Sequence, residues 1–140
     1  MSTLPKCAYS DYKLNYLLKE DSLKNAFYHH LRNNPGDSFL NNNNIRIYTE
    51  YYLDNLERTD IAIVRLLLES EFPNYDYHLR DLVKEVLAII ELKHKNGTCG
   101  PEPFLRDISK IYRYCRLRKY EQCQCFLGFI YEKIQLWILG

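Results

Sequence analysis

The stretch FLRDISKIYRYCRLRKYEQCQCFLGFIYEKIQLWIL, Phe104 to Leu139, spans thirty-six residues without a proline and without a glycine before Gly128. Its apolar residues Tyr120, Cys123, Leu127, Ile130, Ile134 and Trp137 recur at spacings of three and four, the seam of a helix packed lengthwise on other helices. Leu105, Ile108, Ile111 or Tyr112, and Cys115 form an earlier seam, and the step from Cys115 to Tyr120 breaks the phase. The periodicity predicts one long C-terminal helix that kinks, or rotates its buried face, at Arg116 to Lys119.

Outward from there, the spacing predicts helices in every other segment. Asp11 can cap a short helix through Leu18. Asp21 or Ser22 can cap a second that carries Leu23, Ala26, Phe27 and His30 or Leu31 on one face, stopped by Asn33, Asn34, Pro35 and Gly36. Residues 33–44 read as a polar loop. Tyr48, Tyr51, Tyr52 and Leu56 mark the next helical face, with a short strand near Ile45 as the alternative. Thr59 or Asp60 starts a further helix through Ile61, Val64, Leu67 and Leu68, ended by Pro73. Asp76 is placed as the N-cap of a helix from Leu79 through Leu82, Val83, Val86, Ile89 and Ile90 to Leu92. Lys93, His94 and Lys95 then complement its dipole, and Asn96 and Gly97 supply the stop. The expected fold class is therefore all-α, a helical bundle of about five to six helices. An N-terminal helical appendage with its polar loop covers residues 1–44, and a main helical domain covers 45–140.

Composition narrows the class. At 140 residues, 46% of them hydrophobic and 26% charged, the chain is long enough for one domain with a core. Thirteen tyrosines suit surfaces partly covered by partners, or reflect a codon bias that also enriches Asn, Ile and Lys. Residues 1–75 hold 8 basic and 10 acidic side chains, and residues 76–140 hold 11 and 8, too little charge in either half for tight non-specific nucleic-acid binding. Five cysteines and no signal-like start suggest a reduced, intracellular compartment, and no apolar run is long enough to span a bilayer, so no membrane partner is expected.

No chemistry-bearing constellation stands out from spacing. Cys123 and Cys125 point to different faces of a helix, and Cys7, Cys99 and Cys115 supply no second pair, so no metal is expected and the thiols read as small apolar residues. His29, His30, His78 and His94 read as surface or capping residues. There is no glycine loop to cradle phosphate, no catalytic residue is assigned, and no cofactor is expected. The basic patch is more informative. From Arg106 to Lys119 there are six basic residues against Asp107 alone, interleaved with Tyr112 and Tyr114. This suits either a solvated or inter-subunit helix face, or contacts to a nucleic-acid backbone.

The segment Tyr112-Arg-Tyr-Cys-Arg-Leu-Arg-Lys-Tyr-Glu121 resembles the long helix of the GINS replication-factor subunits. Arg116, Leu117, Lys119 and Glu121 match its Arg-Leu-x-Lys-x-Glu signature; Cys115, Cys123 and the aromatic run from Phe126 to Trp137 resemble a sister subunit, and Tyr77 to Leu87 is similar to the preceding helix. The resemblance covers about residues 60–140. It implies a non-enzymatic, nuclear subunit of an assembly supporting the replicative helicase, with protein partners and any nucleic-acid contact secondary. The partner-binding residues are then Arg113, Arg116, Lys119, Tyr120, Glu121, Ile130, Ile134 and Trp137. The alternative is a small viral helical regulator that grips a host protein through a groove between helices.

Overall fold

Where the spacing predicts helices, β-branched residues build strands. Ile61-Ala-Ile-Val64 and Val86-Leu-Ala-Ile-Ile90 are short, dense apolar runs, and such runs serve equally as strands whose two faces are both covered. In the computed structural model, which describes residues 20–53, 57–95, 101–117, 122–131 and 135–139, the chain forms a five-stranded mixed sheet with three helices. The fold is α/β, which corrects the expected all-α helical bundle.

The elements in chain order are α1 (Glu20–Asn33), α2 (Asp37–Asn42), β1 (Ile45–Leu53), β2 (Glu57–Leu66), β3 (Val83–Lys95), α3 (Glu102–Arg116), β4 (Gln124–Tyr131) and β5 (Gln135–Leu139), with 3-10 turns at Glu69–Glu71 and Leu79–Leu82. Sheet order follows chain order. β1, β2 and β3 pair antiparallel; β3 and β4 pair parallel, with α3 as the crossover between them; β4 and β5 are antiparallel again.

Three expected helices are overturned. The segment from Tyr48 toward Leu56 lies in β1 as far as Leu53, the short-strand alternative, while residues 54–56 lie outside the described residues. Thr59 to Leu66 lies in β2. The segment from Asp76 to Leu92 divides into the turn at Leu79–Leu82, where Asp81 Oδ2 accepts the His78 amide at 3.0 Å, and the thirteen-residue β3. β3 is the central strand, so Ala88 through Leu92 are all buried and show no alternation. A two-sided apolar strand leaves a pattern that a three-and-four spacing also fits.

The long C-terminal helix is likewise corrected. Pro101 and Pro103 begin α3, where a missing amide costs no hydrogen bond, and α3 ends at Arg116. Cys123 precedes β4, Leu127 and Ile130 lie in β4, and Trp137 lies in β5 opposite Phe129. The inward face of α3 is Ile111 and Tyr114, while Leu105, Tyr112 and Cys115 are exposed. The polar loop predicted at 33–44 contains α2. α1 ends where read, at Asn33 with Gly36 at φ 81° beyond it, but Asp21 and Ser22, expected as its cap, lie within the helix, Glu20 and Asp21 in its first turn. The short helix expected from Asp11 to Leu18 lies outside the described residues.

Two cores flank the sheet. On one face Leu23 and Leu31 of α1 and Leu40 of α2 pack with Ile47, Ile61, Ile90 and Leu92. On the other, Ile111 and Tyr114 of α3 pack with Tyr51, Leu53, Val86 and Ile89. Odd-numbered residues of β1 thus change face between Ile47 and Leu53, and those of β2 change between Ile61, beneath α1, and Glu57, which bonds to α3. The rollover coincides with Glu50, held at φ 53°, and with Asp60 opposite it, the one position in the β1–β2 register without a bridge. A left-handed backbone is strained for glutamate and persists only where its surroundings impose it.

Candidate active site at the parting of the central strands

The β2–β3 ladder runs from Leu66 to Ile61, with register shifts at Arg65/Leu66 and Ile63/Val64, and its last pair is Ile61 with Ile90. At the next position the Asp60 side chain takes over from the backbone: its Oδ2 accepts the Leu92 amide at 2.7 Å. Backbone pairing of the two strands ends here, and side-chain hydrogen bonds carry the contact on. Thr59 beside it is fully buried and donates to the Ile90 carbonyl at 3.3 Å, which fixes the departing strand.

Glu91 follows Ile90 on β3. Only 5% of it is exposed, in the most buried strand of the molecule. Its Oε1 is ion-paired with Nζ of Lys110 on α3 at 2.6 Å. Lys110 Nζ also donates to the Arg58 carbonyl. Burial, reinforced by the nearby Asp60 charge and opposed by Lys110, pushes the Glu91 carboxyl up to about 7.

Lys93 lies two residues further on, so it shares a face of β3 with Glu91. Its Nζ sits 3.1 Å from Asp107 Oδ2 of α3 and 3.7 Å from Glu20 Oε2 at the start of α1. Burial alone would lower its pKa, but Asp107 and then Glu20 and Asp60 more than offset this, so Lys93 is held as a cation. Glu20 also accepts the His94 amide at 3.5 Å, joining α1 to the same spot. Glu50, across from Asp60, takes ion pairs from Lys24 of α1 and from Arg58 Nε at 2.5 Å. The strained position is thereby clamped to both a helix and the neighbouring strand.

Asp60, Glu91 and Lys93 thus form one centre, with Glu20, Asp107 and Lys110 contributed by α1 and α3. Asp60 and Glu91 are carboxylates on adjacent strands, close enough for the Asp60 charge to help raise the Glu91 carboxyl to about 7. Among the described residues no set of three His, Cys, Asp or Glu side chains makes a closed metal cage. Mg²⁺ does not need one: it is commonly held by one or two carboxylates, with waters and substrate phosphate filling the remaining positions.

The partner-binding residues read from sequence are not brought together with this centre. Arg113 pairs with Glu57 at 2.7 Å, and Arg116 lies 4.2 Å over the Tyr112 ring. Ile130 and Trp137 take backbone positions in β4 and β5, while Lys119, Tyr120, Glu121 and Ile134 lie outside the described residues. Cys115 is exposed and Cys123 and Cys125 are part-buried. Burial raises the Cys123 thiol to about 11 and Cys125 further, so neither is a ready nucleophile.

No family model, curated protein or solved structure matches the chain. Its chemistry therefore has to be read from the centre itself. No helix among the described residues is long and apolar enough to cross a membrane.

Sequence reading placed Asp60 as a helix cap and Lys93 as a complement to a helix dipole, and passed over Glu91. A signal was present. Ile89-Ile-Glu-Leu92 sets a charge, Glu91, inside an apolar run, where a solvated cap would not lie, whereas Asp60 follows Glu57-Arg-Thr59 and gave no such signal. Burying a charge costs several kcal/mol unless it is paired, on the order of what a functional role must justify.

Proposed function

We propose that this chain is a divalent-metal-dependent phosphodiesterase acting on nucleic acid, with its centre at Asp60, Glu91 and Lys93. The observation that carries the reading is the convergence of two carboxylates and one lysine at the point where β2 leaves β3. Asp60 and Glu91 are the residues that would hold the cation. When bound, it would supply Lewis-acid polarisation of a phosphoryl oxygen.

The remaining steps belong to the chain's own side chains. Lys93, protonated and fixed between Asp107 and Glu20, stabilises negative charge developing on the phosphoryl group and can donate a proton to the leaving oxygen. Water is the nucleophile, because the one hydroxyl adjoining the pair, Thr59, is fully buried and already donates to the Ile90 carbonyl. Lys110 holds the Glu91 carboxylate before the substrate complex forms. A paired-carboxylate glycosidase would also need two acids, yet would have no use for a lysine fixed among them. The four basic residues of α3, Arg106, Lys110, Arg113 and Arg116, lie on the helix that supplies Lys110 and Asp107 to the centre and favour a polyanionic substrate.

The non-enzymatic subunit implied by the GINS resemblance drew on one helix continuous through Tyr112 to Glu121 and on to Trp137. That segment is divided between α3 and two strands, so the centre gives the better-supported reading.

The test is cleavage of end-labelled single- and double-stranded oligonucleotides with Mg²⁺ or Mn²⁺, against EDTA. Asp60→Asn, Glu91→Gln and Lys93→Ala are each expected to lower cleavage by about a hundredfold or more, with far-UV circular dichroism unchanged. Metal-independent cleavage, or cleavage retained in Asp60→Asn, would sink the reading.

A further inference from the structure

Beside the centre, a groove of ≈ 290 Å³ runs between the rollover of β1 and the 3-10 turn before β3, lined by Tyr48, Tyr51, Tyr52, Leu79, Arg80 and Val83, with Glu50 at its inner edge. We infer that this groove takes the unpaired bases of a single-stranded nucleic acid, and so makes the substrate a single strand or a frayed end. The inference rests on the phosphodiesterase reading for its connection to cleavage, but the binding it describes is independent of catalysis.

Three observations carry it. The lining is aromatic and open to solvent: Tyr52 is 53% exposed and Leu79 77%, large apolar surface left uncovered at a concave site. Tyr48 and Tyr51 are already stacked, with ring centroids 6.0 Å apart and planes at 13°, which presents a flat π-surface parallel to any ring entering the groove. Arg80 is the cation of the lining; its Nη2 donates to the Tyr52 carbonyl at 3.3 Å, which holds the guanidinium beside the exposed ring. Stacking faces with an adjacent arginine bind nucleobases and backbone phosphate together, without regard to sequence.

Position then ties the groove to the centre. Glu50 lines it and faces Asp60 at the one position of the β1–β2 register without a bridge. A strand whose bases stack on Tyr48 to Tyr52 is therefore held on β1, the neighbour of the strand that carries Asp60. Glu50 itself is turned to Lys24 and Arg58, so its charge is neutralised where a phosphate would approach.

The experiment measures anisotropy of a fluorescein-labelled oligothymidylate, an abasic oligonucleotide of equal length and a duplex, all in EDTA with the full chain. Cleavage of the same oligothymidylate in Mg²⁺ is followed in parallel. The oligothymidylate should bind about tenfold or more tighter than the duplex or the abasic strand. Tyr52→Ala should weaken it about five- to a hundredfold, the loss of one stacked base, with Tyr52→Trp restoring it, and Arg80→Ala should weaken it and flatten its salt dependence. Equal affinity for the abasic strand, or binding indifferent to both Tyr52→Ala and Arg80→Ala, overturns the groove even if cleavage proceeds. Base-dependent binding sensitive to Tyr52 in a chain that cleaves nothing leaves the groove standing and removes the phosphodiesterase reading instead.

Discussion

Replacing Glu91 by glutamine separates the cost of its burial from its use. The carboxyl titrates near 7 rather than near its ordinary 4.5, and at 1.36 kcal/mol per unit the ionised form is disfavoured by about 3 kcal/mol in the folded chain. A raised carboxyl pKa means that the folded state holds a proton the unfolded state has lost. Stability therefore falls as pH rises from about 4.5 to about 7 and stays reduced above it. Glu91→Gln keeps the shape and removes the charge, so the metal-free variant should be more stable than the parent at pH 8, by up to about 3 kcal/mol with the Lys110 contact already counted, and no more stable at pH 4. Divalent cation reverses the order. It binds the ionised carboxylate, and with a proton competing up to about 7 its apparent affinity should improve about tenfold between pH 6 and pH 8. Thermal unfolding across a Mg²⁺ titration at pH 6, 7 and 8 reads both effects. A parent whose midpoint is unmoved by Mg²⁺ or Mn²⁺ at pH 8, or a Glu91→Gln variant stabilised by metal as strongly as the parent, would refute the reasoning.

Other substitutions probe the frame around the centre. Leu23→Ala empties a fully buried position of α1 and should cost about 2–5 kcal/mol in urea unfolding. Tyr114→Phe removes the phenol donated to Glu57 at 2.7 Å, costing about 1 kcal/mol at neutral pH for this part-exposed pair. That hydrogen bond, with Arg113, holds Glu57 below its ordinary pKa; its stabilisation is present above that value and lost as pH falls, so the Phe variant should lose less stability on acidification. Gly128→Val on β4 should cost about 1–3 kcal/mol, because a Cβ there would lie 2.9 Å from Leu92 Cδ2 and press on the strand that carries Glu91 and Lys93.

Element boundaries were legible where punctuation is local. The stop of α1 at Asn33 to Gly36 and the start of α3 at the prolines follow from residues whose backbone preferences hold in any context. Element type was not legible in the middle of the chain. Ile61 to Val64 and Ala88 to Leu92 are buried on both faces because α1 and α3 cover opposite sides of the sheet, and that layering erases the period-two signal of a half-exposed strand. Their β-branched content was the better guide. The centre was hidden for a related reason. Asp60, Glu91 and Lys93 are thirty-one and two positions apart, and only the β2–β3 pairing makes them neighbours. A capping role for Asp60 is the natural reading of an aspartate before an apolar run until the run is known to be a strand.

The rollover at Glu50 and Asp60 makes the first two strands behave like a shaft bearing on two housings. Ile47 and Ile61 seat one end beneath α1, and Leu53 and Glu57 seat the other against α3. Asp60 sits where the shaft turns, its carboxylate pinned to the Leu92 amide of the central strand at 2.7 Å. The side chain that ties β2 to β3 therefore lies at the point where the first two strands pass from one helix to the other.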